Sequence, residues 1–519
     1  MGGASHDSAV PKPPAFKRKI VQILISLLFH HNPFCRIQSA QSFPLGATMV
    51  KPLLLAAVKP VLRAAGGAAV LGYESALIAA KAAPASDESS VTTRQIVLFV
   101  LTYLAYVAVY FARKPVSVVK STLQSEMGLS LAALGGIDTA MLTMYAVGQF
   151  MTGSIVAIFG RAIPLIFGFL ACGGLTAAFG FVSEAKHMSF LWGLVGIFAA
   201  SVNPLLVLFV ADLFPASMRA TAVGLWQTSQ QVGGVAANTV ASAVLASKGW
   251  RAVFKVSGAT VATFAPVLAF ALLSSTTPKA APAAASKAKP KAAAPAKAAS
   301  SISPLTLPGL KSVGAAYTLV KMSRYCLMFW LPYFLTKHVG LSSASAGTMA
   351  AIFDVAGVLG SIATGFLCDG VFGGHMIATV FPFLAATAAA FGGWGVVCVA
   401  EKVSGKSLKS LHIAAMALVG FTIAGPDSVL GGAASRNLCD YAGRSSDTAL
   451  AAAASGLVNG FGSVGAILQG GLTAKLVDAV GWSGLFLTLA AAMALAAGAT
   501  LPAIVVEARA KKAAAGKKA

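Results

Sequence analysis

Between residues 95 and 505 the sequence returns twelve times to an apolar run of about twenty residues or more. A helix of that length spans the roughly 30 Å hydrocarbon core of a bilayer, so the chain is predicted to be a polytopic, all-α membrane protein. A transmembrane barrel would instead alternate residue types in segments of about ten, and no such pattern occurs. The expected spans are 95–113, 131–156, 162–183, 188–211, 220–247, 252–274, 310–336, 344–368, 375–400, 411–436, 447–475 and 482–505. Only 11% of residues are charged and the mean hydropathy is +0.79, too apolar for the surface of a soluble protein this large.

The net charge of +23 would raise nucleic acid as a partner for a soluble chain. Here the basic residues gather in tails and loops, so they are read as setting membrane orientation, with no nucleic acid expected. The segment 275–309 is rich in Ala, Pro and Lys; it holds Lys279, Lys287, Lys289, Lys291 and Lys297 and no acid. With the basic tail 506–519 and Arg161, Arg219, Arg436 and Arg444, it places both termini and this linker on the cytosolic side. Residues 1–94 form an extension. Lys17–Lys19 precede the apolar run Ile20–Phe29, and an Ala-rich basic stretch follows. That order reads either as a targeting segment for a plastid envelope or the endoplasmic reticulum, in preference to the plasma membrane, or as an interfacial cytosolic tail.

The two halves share a pattern. Gly128-Leu129-Ser130 recurs 212 residues on as Gly340-Leu341-Ser342, and Gly135, Gly148 and Gly153 match Gly347, Gly360 and Gly365 at the same spacing. Later the spacing becomes 232: Gly224-Leu225 matches Gly456-Leu457, Gly249-Trp250 matches Gly481-Trp482, and Phe254 matches Phe486. Fixed spacings over several spans mean a duplicated unit. The predicted organisation is therefore two pseudo-symmetric six-helix halves, 95–274 and 310–505, the plan of the major facilitator fold with its site between the halves.

Charges inside apolar runs locate that site. Arg113 and Arg324 are each costly at membrane depth, and the 212-residue spacing puts them at nearly equivalent places. Tyr106, Tyr110 and Arg113 share one helix face. A guanidinium fork meets two phosphate oxygens at once, and phenols can donate to others. Arg113 and Lys114 also stand at the predicted end of their span, where snorkelling to the interface is the alternative. Span five carries Gln230 and Gln231 on a polar face, and span two carries Gln149 one turn after Tyr145; helix–helix hydrogen bonding is the competing role for all three. Asp138, Asp354 and Asp427 lie within spans, and Asp354 is expected either to pair with Arg324 or to serve as a structural acid.

No enzyme motif of the GxSxG, HExxH or GxxxxGK[ST] type occurs, and neither cofactor nor metal is expected. The seven histidines lack metal spacing, with His338 and His375 expected in solvated loops. The six cysteines are read as small packing residues.

Several segments resemble the organophosphate:phosphate antiporters of the major facilitator superfamily. They are YFARKPVSVVKSTL, GLWQTSQQVGG, SRYCLMFWLPYFL, FDVAGVLGSIATGFLCDG, GPDSVLGGAASRNL and SGLVNGFGSVGAILQGGL. The resemblance covers about residues 95–505. It implies exchange of glycerol-3-phosphate or a hexose phosphate for inorganic phosphate by alternating access, with Arg113 and Arg324 as the phosphate-binding arginines. It also implies that Tyr106 and Tyr110 lie near the phosphate, that Gln149 and Gln230 replace a lysine and a histidine of bacterial members, and that Asp354 is the family's span-eight acid. Asp427 stands where the family pattern suggests a neutral residue. The expected partners are a small phosphorylated metabolite, inorganic phosphate and the bilayer, and the carrier is expected to act as a monomer. Two alternatives stay open: a proton- or sodium-coupled carrier of another organic anion, and a transporter-like receptor without flux.

Overall fold

The computed structural model describes residues 92–214, 216–274, 303–444 and 447–516. The targeting reading of the extension, most of the basic linker and Cys35 fall outside them. Every regular element among the described residues is helical. In the first part of the chain these are α1 Thr93–Val109, α2 Pro115–Met127, α3 Leu131–Phe159, α4 Ala162–Phe179, α5 Ala185–Ala199, α6 Val202–Leu213, α7 Ala216–Gln227 and α8 Ser229–Ser274. The second part holds α9 Leu310–Lys337, α10 Ser343–Gly370, α11 Met376–Ser404, α12 Lys409–Ser428, α13 Ala434–Tyr441 and α14 Thr448–Gly516. Nine helical segments among the described residues are long and apolar enough to cross a membrane. α9 is not among these nine, and it carries Lys311, Lys321, Arg324 and Lys337.

The repeated sequence signals make the same backbone turns twice. Gly128 ends α2 at φ 67°, and Ser130 caps α3 by accepting from the Ala133 N–H. Gly340 turns at φ 74°, and Ser342 caps α10 by accepting from the Ser345 N–H. Glycine supplies the left-handed turn without a Cβ clash and serine takes up an orphan amide. Gly249 and Gly481 bend α8 and α14 at φ 74° and 69°.

Two hydrophobic clusters organise these helices. The first draws mainly on residues 99–268 and stacks Phe179 on Phe254, ring centroids 4.2 Å apart. The second draws on residues 307–503 and stacks Phe391 on Phe486 at 6.3 Å. Phe179 and Phe391 are 212 residues apart, and Phe254 and Phe486 are 232 apart, so the duplicated spacing reproduces the contact.

The clusters are pressed together at the end carrying Gly128 and Gly340. Gly135 of α3 abuts the Gly470 carbonyl of α14, and Gly347 of α10 abuts the Ser242 hydroxyl of α8. Neither glycine has room for a methyl group. Ser121 meets Ser343 at 3.2 Å, and the Tyr333 hydroxyl donates to Gln124 at 2.7 Å.

The first span is longer than the sequence reading allowed. It runs from Arg94 to Met127 rather than stopping at Arg113. The polar stretch after Pro115 looks like a loop in sequence because it contains Lys120. In the fold Lys120 is wholly buried, ion-paired to the equally buried Asp138 of α3. Its ammonium also donates to the Phe329 carbonyl of α9 at 3.0 Å and lies 4.0 Å from the Trp330 ring centre. Asp138 is therefore the partner of a buried cation.

Candidate functional site

Arg113 owes its position to a break in the first span. α1 gives way to a 3-10 turn, Tyr110–Ala112, and α2 restarts at Pro115. Proline has no amide to donate, so the interruption costs no hydrogen bond at that residue. Arg113 and Lys114 amides both return to the Tyr110 carbonyl, and the Ser117 hydroxyl donates to the Lys114 carbonyl at 2.7 Å. Irregular backbone at membrane depth is tolerated where it lines a cavity. A second irregularity lies in the other half, at the end of α12, where Pro426 precedes Asp427 and a π turn follows over Val429–Ala433.

These two breaks face a cavity of about 510 Å³. Among the residues singled out in the sequence, Tyr106, Arg113, Gln149, Gln230, Gln231 and Arg324 line it. Tyr145, Lys321, Tyr317, Tyr325 and Asp427 also belong to its polar wall. Its charged lining is three cations, Arg113, Lys321 and Arg324, and one carboxylate, Asp427.

The cations differ in their surroundings. Arg113 is buried, makes no ion pair among the described residues, and has its Nε without a hydrogen-bond partner. Its guanidinium carbon lies 4.9 Å from the Tyr145 ring centre and 5.7 Å from that of Tyr110. Those faces offer a cation favourable quadrupoles without neutralising it. Arg324 is ion-paired to Asp427, whose other oxygen lies 3.1 Å from the Lys321 ammonium. Lys321 also sits over Tyr325 and Tyr317.

The remaining expected residues stand behind this wall. Tyr110 donates to Gln230 at 3.2 Å, and Gln230 donates to Gln227 at 2.7 Å. Tyr106 stacks on Trp226. Lys114 turns away from the cavity and meets Asp354 of α10 at 3.2 Å. The expected Asp354–Arg324 pair is therefore corrected. Lys114 reaches Asp354 across the two halves because Gly234 of α8 leaves the gap; a Cβ there would sit 2.9 Å from the carboxylate. Asp427 takes Arg324 instead.

Lys321 was missed, although the signal was present: like Arg324 it is a charge within a long apolar run. His338 and His375 do lie in the connections beside α9 and α11, as expected, but neither is fully solvated. His338 stacks on Phe334 at 5.1 Å and is 26% exposed. His375 is half-buried with its Nδ1 2.6 Å from the Phe372 carbonyl. The described cysteines, Cys172, Cys326, Cys368, Cys398 and Cys439, are buried free thiols.

Known proteins share this plan. The chain is 27% identical over 449 residues to "Putative glycerol-3-phosphate transporter 2" of Arabidopsis thaliana, covering 79% of this chain and 86% of that one. It is 24% identical over 456 residues to "Sugar phosphate exchanger 3" of Mus musculus, covering 77% and 90%. A crystal structure of a bacterial homolog to the human lysosomal transporter Spinster, inward-facing and occupied, superposes with a TM-score of 0.58 at 14% identity. That likeness covers 81% of this chain and 97% of the other and concerns the fold. The sequence pattern of the Major Facilitator Superfamily matches residues 102–446, and the chain belongs to that superfamily of carriers rather than to any class of enzyme.

Proposed function

We propose that this secondary transporter of a small organic anion exchanges an organic phosphate, a glycerol-3-phosphate or hexose-phosphate type of ester, for inorganic phosphate. The observation that carries this reading is the placement of Arg113 and Arg324 on one cavity from opposite halves, with an excess of two positive charges in its lining. A phosphate dianion balances that excess, and two guanidinium forks can share its oxygens. In this reading Tyr106 and Tyr145 donate to the phosphate, and Gln149, Gln230 and Gln231 meet the ester's hydroxyls. Tyr110, Lys114 and Asp354 support the site from behind. The similarity to transporters and exchangers named for such esters supports the same conclusion.

The proposal extends to architecture. Twelve crossings arise if α8 and α14 each count as two at their glycine bends and α9 also crosses. Six then fall in each half, and both termini face the cytosol. The halves rock about the fixed site of a single monomer. Which organelle holds it follows from the segment before residue 92.

The test is counterflow. Purified protein in liposomes preloaded with unlabelled phosphate should accumulate labelled phosphate, and external ester should compete. Absence of phosphate counterflow with a panel of three-carbon and six-carbon esters sinks the proposal. Asp427, seated between Lys321 and Arg324, favours one second reading, a proton-coupled anion carrier. Uptake that follows an imposed pH gradient and ignores internal phosphate would select it.

A further inference from the structure

A second polar cluster lies away from the cavity, at the end of the bundle where α9 stops and α10 begins. His338 follows the last turn of α9, Cys398 and Glu401 stand near the end of α11, and His412 lies in the first turn of α12. One donor atom each from His338, Cys398 and His412 lie within 4.8 Å of one another. The Glu401 Oε2 is 2.7 Å from His412 Nε2 and 3.7 Å from His338 Nε2. None of the four lines the transport cavity.

The surroundings are those of a built site. Cys398 and His412 are buried, and Phe334 stacks on one imidazole and meets the other edge-on. The Leu408 amide donates to the second Glu401 oxygen at 3.1 Å, which fixes that carboxylate. The Trp394 indole donates to His412 Nδ1 at 3.1 Å, directing Nε2 at Glu401. Holding the carboxylate needs only His412 and Leu408. The other two groups are left over: His338 Nε2 is buried without a hydrogen-bond partner, and Cys398 is a buried free thiol.

We propose that His338, Cys398, Glu401 and His412 bind one zinc-class divalent cation. Two imidazoles, a thiolate and a carboxylate form a donor set that zinc takes in tetrahedral geometry. A mixed nitrogen and sulfur set with one carboxylate disfavours magnesium and calcium, which want oxygen shells. The ion displaces the Cys398 thiol proton, which leaves to solvent, while His412 changes tautomer: its proton passes from Nε2 to Nδ1, the ring stays neutral, and Nε2 offers its lone pair to the ion. With Nδ1 protonated, it no longer accepts from Trp394, and the indole N–H gives up that bond. Bound there, the ion ties the ends of α9, α11 and α12 together beside the seal between the halves.

The full-length, tag-free protein in detergent tests this, after stripping with chelator. Titration with cobalt(II) alone should saturate at one equivalent with a thiolate-to-cobalt charge-transfer band, which zinc(II) then abolishes. Cys398→Ser should remove the band. His338→Ala leaves the Glu401–His412 bond in place, so it should fold, and it should weaken zinc binding by about 100-fold or more. Zinc should also slow maleimide labelling of Cys398 in the parent protein and not in His338→Ala. A cobalt band that survives Cys398→Ser, or zinc stoichiometry and labelling unchanged by His338→Ala, overturns the proposal. So does the lack of stoichiometric cobalt binding, which would leave the cluster as a hydrogen-bonded cap.

Discussion

Asp427 holds Arg324 in an ion pair while Arg113, its near-equivalent in the other half, has no carboxylate within reach among the described residues. One of the two cavity arginines is thus already neutralised by the protein itself. Under the proposed function, an incoming phosphate would find Arg113 unpaired and would share Arg324 and Lys321 with Asp427.

Asp427→Asn should therefore tighten phosphate binding. Removing the internal competitor leaves Lys321 and Arg324 for the substrate, and charge-assisted hydrogen bonds are worth about 1.5–3 kcal/mol each. The expected outcome in counterflow is a KM for inorganic phosphate lowered about tenfold or more, with slower turnover because release is harder. An unchanged KM would mean that Asp427 does not compete.

Arg113→Lys should fare worse than its charge suggests. A lysine keeps the cation but loses the bidentate fork and the planar fit over Tyr145 and Tyr110. Exchange is expected to drop at least about tenfold, and Arg113→Ala should abolish it. Size-exclusion profiles and thermal melting of both variants should match the parent.

Lys114 and Asp354 join the halves behind the cavity. Asp354→Asn leaves Lys114 unpaired in a buried place, and exchange is expected to fall by about tenfold or more. The exchanged pair Lys114→Asp with Asp354→Lys should recover part of it. Gly234→Ala pushes on the same carboxylate and should give a milder form of the same defect. Initial uptake rates for the three variants decide the matter.

Lys120 and Asp138 form the most deeply buried ion pair among the described residues. Lys120→Met strands the Asp138 carboxylate and should cost about 3–5 kcal/mol of stability. The double variant Lys120→Met with Asp138→Leu removes both charges and should melt far closer to the parent. Thermal unfolding in detergent reads the difference.

Much of this arrangement could be read from the sequence because membrane burial makes charges conspicuous. Arg113 and Arg324 stood out for that reason, and the repeated Gly-Leu-Ser and Gly-Trp signals marked turns that only glycine makes easily. What escaped was pairing. Lys120 looked like a loop residue because its partner Asp138 lies on another helix. In sequence Asp354 reads either as a partner of Arg324 or as a structural acid, because each shows only as a charge within a span, while the gap at Gly234 that admits Lys114 depends on helix contact. The cluster around His412 draws on three helices and has no spacing in the sequence to announce it. Lys321 was legible by the rule that found Arg324 and was passed over.

The bends at Gly249 and Gly481 carry a mechanical consequence. Helical backbone continues on both sides of each bend, so the two arms of α8 and of α14 are joined by a one-residue elbow rather than a slack loop. When one arm tilts, the other must swing with it. In each half the arm that lines the cavity is thereby joined directly to the arm that follows it, so a tilt at the cavity wall is passed on without a loop to absorb it.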